Sequence, residues 1–309
     1  MTDLTGIRRV AIVGSTASGK SAVAMEVARR GARSDTPVEI VSVDSMQVYR
    51  GMDIGTAKPT HAEQGEVRHH CIDLVDASVD FTVGDFKAAH DAAVTDIGSK
   101  SAAALLVGGT GLYHRVVIDD FDLPGQFDDI RIELEADPDT EGLHRRLTEL
   151  DPLAASRMEP GNRRRVVRSL EVTLGSGRPF SSFGPGVDTY PPSPVEQIGV
   201  RRPRPLLAER IAERVRAMIG AGLVDEVAVL HEAGMSRSAG QALGYKEIVD
   251  HLEGRISKDE AIDTIITRTR QFAVRQDRWF RRDPRVRWID VEHDPIAEVV
   301  PVVMEALTR

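Results

Sequence analysis

Two kinds of hydrophobic pattern alternate along the first part of the chain. Short apolar runs rich in β-branched residues predict strands at 8–13, 38–43 and 103–107, and helical spacing predicts helices at 20–30 and 83–99. Repeated strand–helix–strand units form parallel sheets flanked by helices. The pattern therefore predicts an α/β fold whose ligands bind beyond the carboxyl ends of the strands.

The pattern changes after residue 119. Acidic turns lead to a short arginine-rich helix near 162–174 and then to a segment rich in glycine, proline and serine. We predict a core formed by 1–119 and 205–309, and an inserted, mainly helical subdomain at 120–204. Long helical patterns follow the insertion at 206–221, 224–233, 241–252 and 258–282.

A phosphate-binding motif lies between the first predicted strand and helix. Its residues fit the spacing G-x-x-x-x-G-K-[ST] and are Gly14, Ser15, Thr16, Ala17, Ser18, Gly19, Lys20 and Ser21. Backbone N–H groups and the Lys20 ammonium suit a phosphate or diphosphate, and the Ser21 hydroxyl suits Mg²⁺. The strand before and the helix after favour a true P-loop over a chance match in a glycine-rich turn. The motif does not identify the molecule that carries the phosphate.

Composition indicates a soluble globular protein, with 41% hydrophobic and 28% charged residues. Cys71 is the single cysteine, which excludes an intrachain disulfide and a zinc cluster of several thiolates, and favours a reducing cytoplasm. Residues 1–7 lack a basic stretch followed by an apolar one, and no apolar run reaches the ~20 residues that span a bilayer. We therefore expect neither export nor membrane insertion.

Positive charge is clustered although the net charge is −8. Arginines concentrate at 163–168, 201–216 and 268–287, which suits RNA phosphates. A biased genomic base composition would also produce an arginine excess. In the last cluster arginines recur at helical spacing, so an ordinary amphipathic helix with a solvated face is the alternative there.

Asp44 ends the second predicted strand and is expected to face the bound phosphate. Such a carboxylate could hold Mg²⁺ through water or accept a proton from an attacking nucleophile. Capping a helix or turn is the alternative role. A polar stretch punctuated by glycines, 44–59, follows and is suited to a binding loop.

Several motifs together resemble the tRNA dimethylallyltransferase family, also called tRNA isopentenyltransferases, in its bacterial form. They occur in the family's order over nearly the whole chain, and 44–59 is more specific than the P-loop. The sequence departs from the family's usual residues at Ser15, where proline is common, and at Ser21, where threonine is. The motifs are the P-loop, 44–59, His69-His70, 108–113, 241–247, 269–273 and Trp279-Phe280.

The resemblance implies transfer of a dimethylallyl group from its diphosphate to the exocyclic amine of the adenosine 3′ of the tRNA anticodon, with release of diphosphate. It implies a cytoplasmic monomer that contacts no membrane and uses Mg²⁺ held by Ser21. The P-loop residues 14–21 are expected to bind the prenyl diphosphate. The residues expected to act in catalysis are Asp44, Lys20, Ser21, Arg204 and Arg210.

The acceptor is expected to be a tRNA anticodon stem-loop. The arginine clusters and the resemblance together suggest the residues that contact it. These are Asp44, Ser45, Met46, Gln47, Thr110, Arg131, Arg163, Arg164, Arg165 and Gln271.

Three other functions share part of this pattern. A small-molecule or nucleoside kinase would share the P-loop and Mg²⁺ and would bind ATP, but leaves 44–59 and the arginine helices unexplained. A prenyltransferase acting on free adenine nucleotides would not need the insertion. A non-catalytic RNA-binding protein would not need Lys20 or Asp44.

Overall fold

The computed structural model describes residues 6–33, 36–184 and 186–308. Residues 1–5, on which part of the argument against an export signal rests, lie outside the described residues. The chain divides into two compact units, one formed by Met1–Ile118 with Pro192–Arg309 and the other by Asp119–Pro191.

The larger unit contains a six-stranded parallel sheet in the order β4-β2-β6-β1-β7-β8, and a two-stranded sheet of β3 and β5. In the six-stranded sheet, β6 lies between β1 and β2. Val107 of β6 is opposite Ile12 of β1 on one side and Ser42 of β2 on the other. The strands are β1 (Arg9–Val13), β2 (Val38–Ser42), β3 (Tyr49–Arg50), β4 (His69–His70), β5 (Val75–Asp76), β6 (Ala103–Val107), β7 (Glu196–Arg201) and β8 (Val286–Asp290).

Helices flank this sheet and form the regular structure of the smaller unit among its described residues. The first group is α1 (Lys20–Gly31), α2 (His61–Glu66), α3 (Val83–Ser99), α4 (Gly111–Ile118), α5 (Asp128–Ala136), α6 (Thr140–Leu150), α7 (Pro152–Ser156) and α8 (Arg163–Ser176). After a 3₁₀ turn at Phe180–Phe183 come α9 (Arg204–Gly220), α10 (Leu223–Ala233), α11 (Arg237–Gly240), α12 (Tyr245–Leu252), α13 (Lys258–Phe280) and α14 (Pro295–Thr308).

The central strands are apolar because both faces of the sheet are covered. Every residue of β6 is buried, and Val10, Ile12 and Leu105 pack in one core with residues of α1 and α14. Continuous apolar strands of this kind are typical of parallel sheets. The expected α/β fold with a P-loop-type parallel sheet is confirmed.

The smaller unit has its own hydrophobic core, built from α5, α6, α7 and α8 around Leu134, Leu147 and Leu170. Asp151 is buried within it, and its carboxylate accepts hydrogen bonds from the backbone N–H of Ala154 (3.0 Å) and from the backbone and hydroxyl of Ser181 (2.8 and 2.7 Å). A buried carboxylate needs such donors. They join the start of α7 to the 3₁₀ turn.

The chain leaves and re-enters the larger unit at adjacent points, because the Ser193 hydroxyl donates to the carbonyl of Ile118 (3.0 Å). The second segment of that unit begins at Pro192, before the expected position 205. The two boundaries differ because β7 belongs to the larger unit, where it pairs with β1 and β8. Its short apolar run follows directly on the Gly/Pro/Ser-rich segment, and for that reason the sequence pattern assigned it to the insertion.

Along the described residues, no helix combines the length and the apolar character needed to cross a membrane.

Burial of His114 predicts that the larger unit loses stability in mild acid. His114 lies in α4 with its ring edge-on to Phe280 at 5.6 Å, and burial lowers its pKa to about 3. The unfolded chain has a histidine pKa of about 6.5, so below that pH the unfolded state binds a proton that the folded state excludes. The free energy of unfolding should therefore decrease as the pH is lowered below about 6.5, by at most about 1.4 kcal/mol per pH unit from this group.

The measurement is urea unfolding at pH 7.5 and 5.0, followed by fluorescence of Trp279 and Trp288, which both lie in the larger unit. Burial also lowers the pKa of His90, so His114→Gln should reduce the pH dependence without abolishing it. An unchanged pH dependence in the variant would contradict this assignment.

Candidate active site

Three loops meet at the carboxyl edge of the central strands. The P-loop follows β1, Asp44 follows β2, and Gly108 follows β6. Because these strands are parallel neighbours, their carboxyl ends share one edge of the sheet. A cavity of about 880 Å³ opens there and is lined by residues of all three loops, including Lys20, Asp44 and Gly108. The expected convergence of the loops is confirmed.

The P-loop adopts a concave conformation with left-handed residues. Gly14 has φ 139°, Ala17 has φ 61° and Gly19 has φ 106°. Such alternation directs successive N–H groups toward one point and forms an anion-binding nest. Lys20 is buried directly below, where its Nζ donates to the carbonyl of Ser15 (2.6 Å). Five residues of the motif line the cavity: Thr16, Ala17, Gly19, Lys20 and Ser21.

Gln276 links the P-loop to the glycine turn after β6. Its side-chain oxygen accepts from the backbone N–H of Thr16 (2.8 Å), and its amide donates to the carbonyl of Gly109 (2.9 Å). A Cβ at Gly109 would lie 2.2 Å from that amide nitrogen, so a side chain there would displace the Gln276 amide. Gln276 thus fixes the spacing between the two loops, and sequence analysis did not identify it.

Three arginines of the segment after β7 surround the P-loop. Arg202 donates to the carbonyl of Ser18 (3.1 Å) and Arg210 to that of Ala17 (3.2 Å). Arg214 donates to the hydroxyl of Thr16 (3.1 Å). Arg210 and Arg214 lie one turn apart on the same face of α9, and both line the cavity.

Arg204 has a different position from the one expected for a catalytic arginine. It lies at the first turn of α9, is exposed, and lines a small separate pocket with Ser15 and Arg202. It does not share the face of α9 that carries Arg210 and Arg214. Arg214 reaches the cavity in its place and was not singled out from the sequence, although the arginine cluster at 201–216 contained it.

Two cationic side chains at the P-loop, Lys20 and Arg214, are shielded from water. Burial, reinforced by the neighbouring Arg214 charge, lowers the pKa of Lys20 to about 7, although Asp44 acts in the opposite direction. Burial also lowers the pKa of Arg214. Loss of hydration destabilises each cation. An anion bound among them would supply favourable charge interactions in place of the lost water. The arrangement suits a diphosphate.

Asp44 lies two residues after the end of β2 and lines the cavity. It is half-buried, and its Oδ1 accepts from the backbone N–H of Met46 (2.8 Å). The backbone N–H of Ser45 donates to the Thr110 hydroxyl (3.2 Å). These bonds fix the turn so that the Asp44 carboxylate and the Gln47 amide both line the cavity.

Arg131, Arg163, Arg164 and Arg165 belong to the smaller unit. Arg131 pairs with Asp128 at 2.8 Å, and Arg163 donates to the Glu135 carbonyl (3.0 Å) at the end of α5. Arg163 therefore serves local structure, which the sequence could not show. Arg164 and Arg165 are exposed.

Some arginines of α13 contact other side chains of the larger unit. Arg268 bonds to the buried carboxylate of Glu247 at 2.5 Å, and Arg275 lies over the Phe272 ring at 5.7 Å. Gln271 is exposed, and the cavity lining includes its neighbour Phe272 instead. α13 thus contributes Gln276 and Phe272 to the site and presents Gln271 to solvent.

Ser21 and Asp44 could hold Mg²⁺, because a hydroxyl and a carboxylate are hard oxygen donors and both line the cavity. A second group, Glu39, His70 and Asp96, places ligand atoms within 4.8 Å of one another. Those carboxylates already pair with cations, however, Asp96 with Lys100 at 2.6 Å and with Arg68 at 3.3 Å. The cavity is the better magnesium position.

Comparison with known proteins places this site in a family. The profile of the IPP transferase family matches residues 47–283. A tRNA dimethylallyltransferase of Geobacter metallireducens is 46% identical over 291 residues, 92% of each chain. The chain belongs to the IPP transferase family.

A further member, the tRNA dimethylallyltransferase of Kineococcus radiotolerans, is 44% identical over 96% of this chain and 98% of its own. Among solved structures, the tRNA isopentenylpyrophosphate transferase of Bacillus halodurans matches with a TM-score of 0.70, 39% identity and 97% coverage of both chains. The family expected from the sequence motifs is confirmed.

The lowered Lys20 pKa predicts pH-dependent binding of inorganic diphosphate. A bound anion favours the ammonium form and raises its pKa, so binding above pH 7 requires uptake of a proton. Affinity should be greatest below about pH 7 and fall by up to about tenfold per unit above it. Calorimetric titrations from pH 6 to 9 measure this.

Diphosphate itself titrates in this range, so the control is Lys20→Met under the same conditions. The wild-type protein should lose more affinity with rising pH than the variant. Parallel curves would show that the Lys20 proton is not linked to binding.

Proposed function

We propose that this IPP transferase family member transfers a dimethylallyl group from dimethylallyl diphosphate to the exocyclic amine of the adenosine 3′ of a tRNA anticodon. The observation that carries the proposal is one cavity lined by both a cationic P-loop and the Asp44 carboxylate. The first suits a diphosphate leaving group, and the second suits removal of a proton from an amine. Close relatives named tRNA dimethylallyltransferase support it.

The P-loop holds the diphosphate while the bond from its oxygen to the allylic carbon breaks. Backbone N–H groups of 17–20, Lys20, Arg210 and Arg214 stabilise the negative charge that accumulates on the leaving group. Magnesium, held by Ser21, would supply further neutralisation of that charge. No phosphoryl group moves. Arg204 would act from its neighbouring pocket on the approach of anionic ligands rather than on the reacting bond.

The new bond forms between the adenosine nitrogen and the allylic carbon. The nitrogen gains a bond and must lose a proton, which Asp44 accepts as the bond forms. The products are the prenylated adenosine and diphosphate, and the proton passes from the amine to Asp44. The Met46 N–H fixes the orientation of the Asp44 carboxylate.

A base stacked in the anticodon loop cannot reach the cavity, so the target adenosine must be extruded from the loop. We assign contacts with that nucleotide to Ser45, Met46, Gln47 and Thr110, which surround Asp44. Contacts with the rest of the stem-loop are assigned to Arg131, Arg164, Arg165 and Gln271. We propose that the protein acts as a monomer, and a tRNA substrate supports a cytoplasmic location.

The direct test is mass spectrometry of an anticodon stem-loop RNA incubated with protein, Mg²⁺ and dimethylallyl diphosphate, with ATP in a parallel reaction. One added five-carbon unit on the adenosine beside the anticodon is expected. Prenylation of free adenine nucleotides alone would favour the nucleotide prenyltransferase, and consumption of ATP without prenylation would favour a kinase.

Asp44→Asn should separate binding from chemistry. The amide keeps the size and position of the side chain but cannot accept the proton, so kcat for RNA prenylation should fall about 10²–10⁴-fold. Affinity for dimethylallyl diphosphate should change little because the P-loop is intact. Single-turnover kinetics with equilibrium binding measures both, and unchanged kcat would remove Asp44 from the mechanism.

Replacing both exposed arginines of α8, Arg164→Ala with Arg165→Ala, should weaken RNA binding and reduce its salt dependence. Loss of two phosphate contacts lowers the slope of log affinity against log salt by about 1.5. The matched control is Arg30→Ala with Arg255→Ala, since these arginines pair with Glu26 and Asp250. Equal salt slopes for the two double variants would contradict the assignment.

A further inference from the structure

Glu226, in the first turn of α10, accepts hydrogen bonds from a whole turn of the 44–59 stretch. Its Oε2 accepts from the backbone N–H groups of Asp53 (3.0 Å) and Ile54 (2.7 Å), and its Oε1 from that of Gly55 (3.1 Å). Consecutive N–H groups that converge in this way form a nest for an anion. Here a carboxylate of the protein itself occupies the nest.

Tyr245, at the start of α12, completes the arrangement. Its hydroxyl donates to Glu226 Oε1 (2.6 Å), and its side chain is fully buried. A Cβ at Gly55 would lie 2.5 Å from the Tyr245 ring, so the turn rests directly on that ring. Burial and the Glu226 carboxylate raise the pKa of Tyr245, which keeps its hydroxyl protonated as a donor.

The anchored turn also holds Gln47, a residue that lines the cavity. The Gln47 side-chain amide donates to the carbonyls of Thr56 and Ala57 (3.2 Å each), immediately after the nest. The Gln47 side-chain oxygen accepts from the Ser42 hydroxyl (2.7 Å) at the end of β2. Displacement of the turn would therefore release Gln47 on one side while the P-loop keeps its own supports.

A second anchor holds the other end of the same stretch. Lys58 is buried, and its Nζ donates to the carboxylates of Asp53 and Asp73 (2.6 Å each) and to the Tyr49 carbonyl (2.8 Å). Asp53 belongs to both anchors, through its N–H to Glu226 and its carboxylate to Lys58. Loss of Glu226 would leave the turn fixed only from the Lys58 side.

We propose that Glu226 is a positioning residue for the acceptor nucleotide: through the nest at 53–55 it fixes the Thr56 and Ala57 carbonyls that orient Gln47 in the cavity. The inference rests on the proposed function, in which Gln47 contacts the target nucleotide. The donors to Glu226 are Asp53, Ile54, Gly55 and Tyr245, which lie outside the P-loop, so we expect its effect to fall on the acceptor.

Glu226→Gln is the sharpest variant, because it keeps the shape of the side chain and changes one acceptor oxygen into a donor. Both carboxylate oxygens accept hydrogen bonds, so in either orientation the new NH₂ group meets an N–H or O–H donor. The matched control is Asp225→Asn, the same loss of charge at the preceding residue, whose side chain is exposed.

The measurements are steady-state kinetics with anticodon stem-loop RNA and hydrogen exchange of the amides of residues 53–55. For Glu226→Gln we expect kcat/KM for the RNA to fall at least tenfold and KM for dimethylallyl diphosphate to stay within twofold. The three amides should exchange at least tenfold faster. Asp225→Asn should match the wild-type protein in all three measurements.

Tyr245→Phe provides a second, milder variant that keeps the ring under Gly55 and removes one donor. It should shift RNA kinetics and exchange in the same direction as Glu226→Gln, by a smaller factor, and it covers the case in which the first variant does not fold. Faster exchange with unchanged RNA kinetics would overturn the positioning role, as would identical behaviour of Glu226→Gln and Asp225→Asn.

The proposed function and the positioning role of Glu226 can be disproved separately. If the wild-type protein does not prenylate RNA, the proposed function falls and the acceptor role of Glu226 falls with it. If the wild-type protein prenylates RNA and only the variants behave as controls, the function stands and the positioning role alone is overturned.

Discussion

The structure depends on cations gathered around the anion-binding nest of the P-loop. Lys20 has lost most of its hydration, and Arg214 and Arg210 add charge within the same cavity. Such a cluster is unfavourable without a counter-ion, as the lowered pKa of Lys20 shows. A diphosphate would supply that counter-ion, so binding and the stabilisation of the leaving group come from the same interaction.

The fold is arranged to place other chemistry beside this cluster. Parallel pairing of β1, β6 and β2 brings the P-loop, the Gly108 turn and Asp44 to one edge of the sheet. Gln276 fixes the first two loops against each other, and Glu226 fixes the turn beyond the third. Each support comes from a helix after the insertion. The C-terminal half of the chain therefore supports the geometry of a cavity whose P-loop and Asp44 lie in the N-terminal half.

Sequence patterns predicted the parts of this arrangement that are local. The P-loop, the Asp44 turn and the central strands follow from spacing and hydrophobic periodicity over short segments, and the structure bears these out. Gln276, Arg214 and Glu226 could not be found in this way, because their partners lie far away in the chain. A lone polar residue on a helix carries no local sign of the loop that it will meet.

The same limit explains which details the sequence patterns could not resolve. Arg204 and Arg210 both belong to an arginine-rich segment, and only the rotation of α9 decides which arginines face the cavity. Arg163 belongs to a basic cluster typical of RNA contact, yet its guanidinium bonds to the end of α5. The sequence pattern assigned β7 to the insertion because its short apolar run adjoins a loop-like segment. Its place in the sheet comes from pairing with β1, which is distant in the chain.

The central claim is that the P-loop holds a departing diphosphate and that no phosphoryl group is transferred. Dimethylallyl diphosphate labelled with ¹⁸O at the oxygen between carbon and phosphorus tests it most directly, with stem-loop RNA as acceptor and mass analysis of both products. The account predicts all of the label in the released diphosphate, in equal amount to the prenylated RNA. Label in dimethylallyl alcohol, or phosphate on the RNA, would show cleavage of the oxygen–phosphorus bond and contradict it.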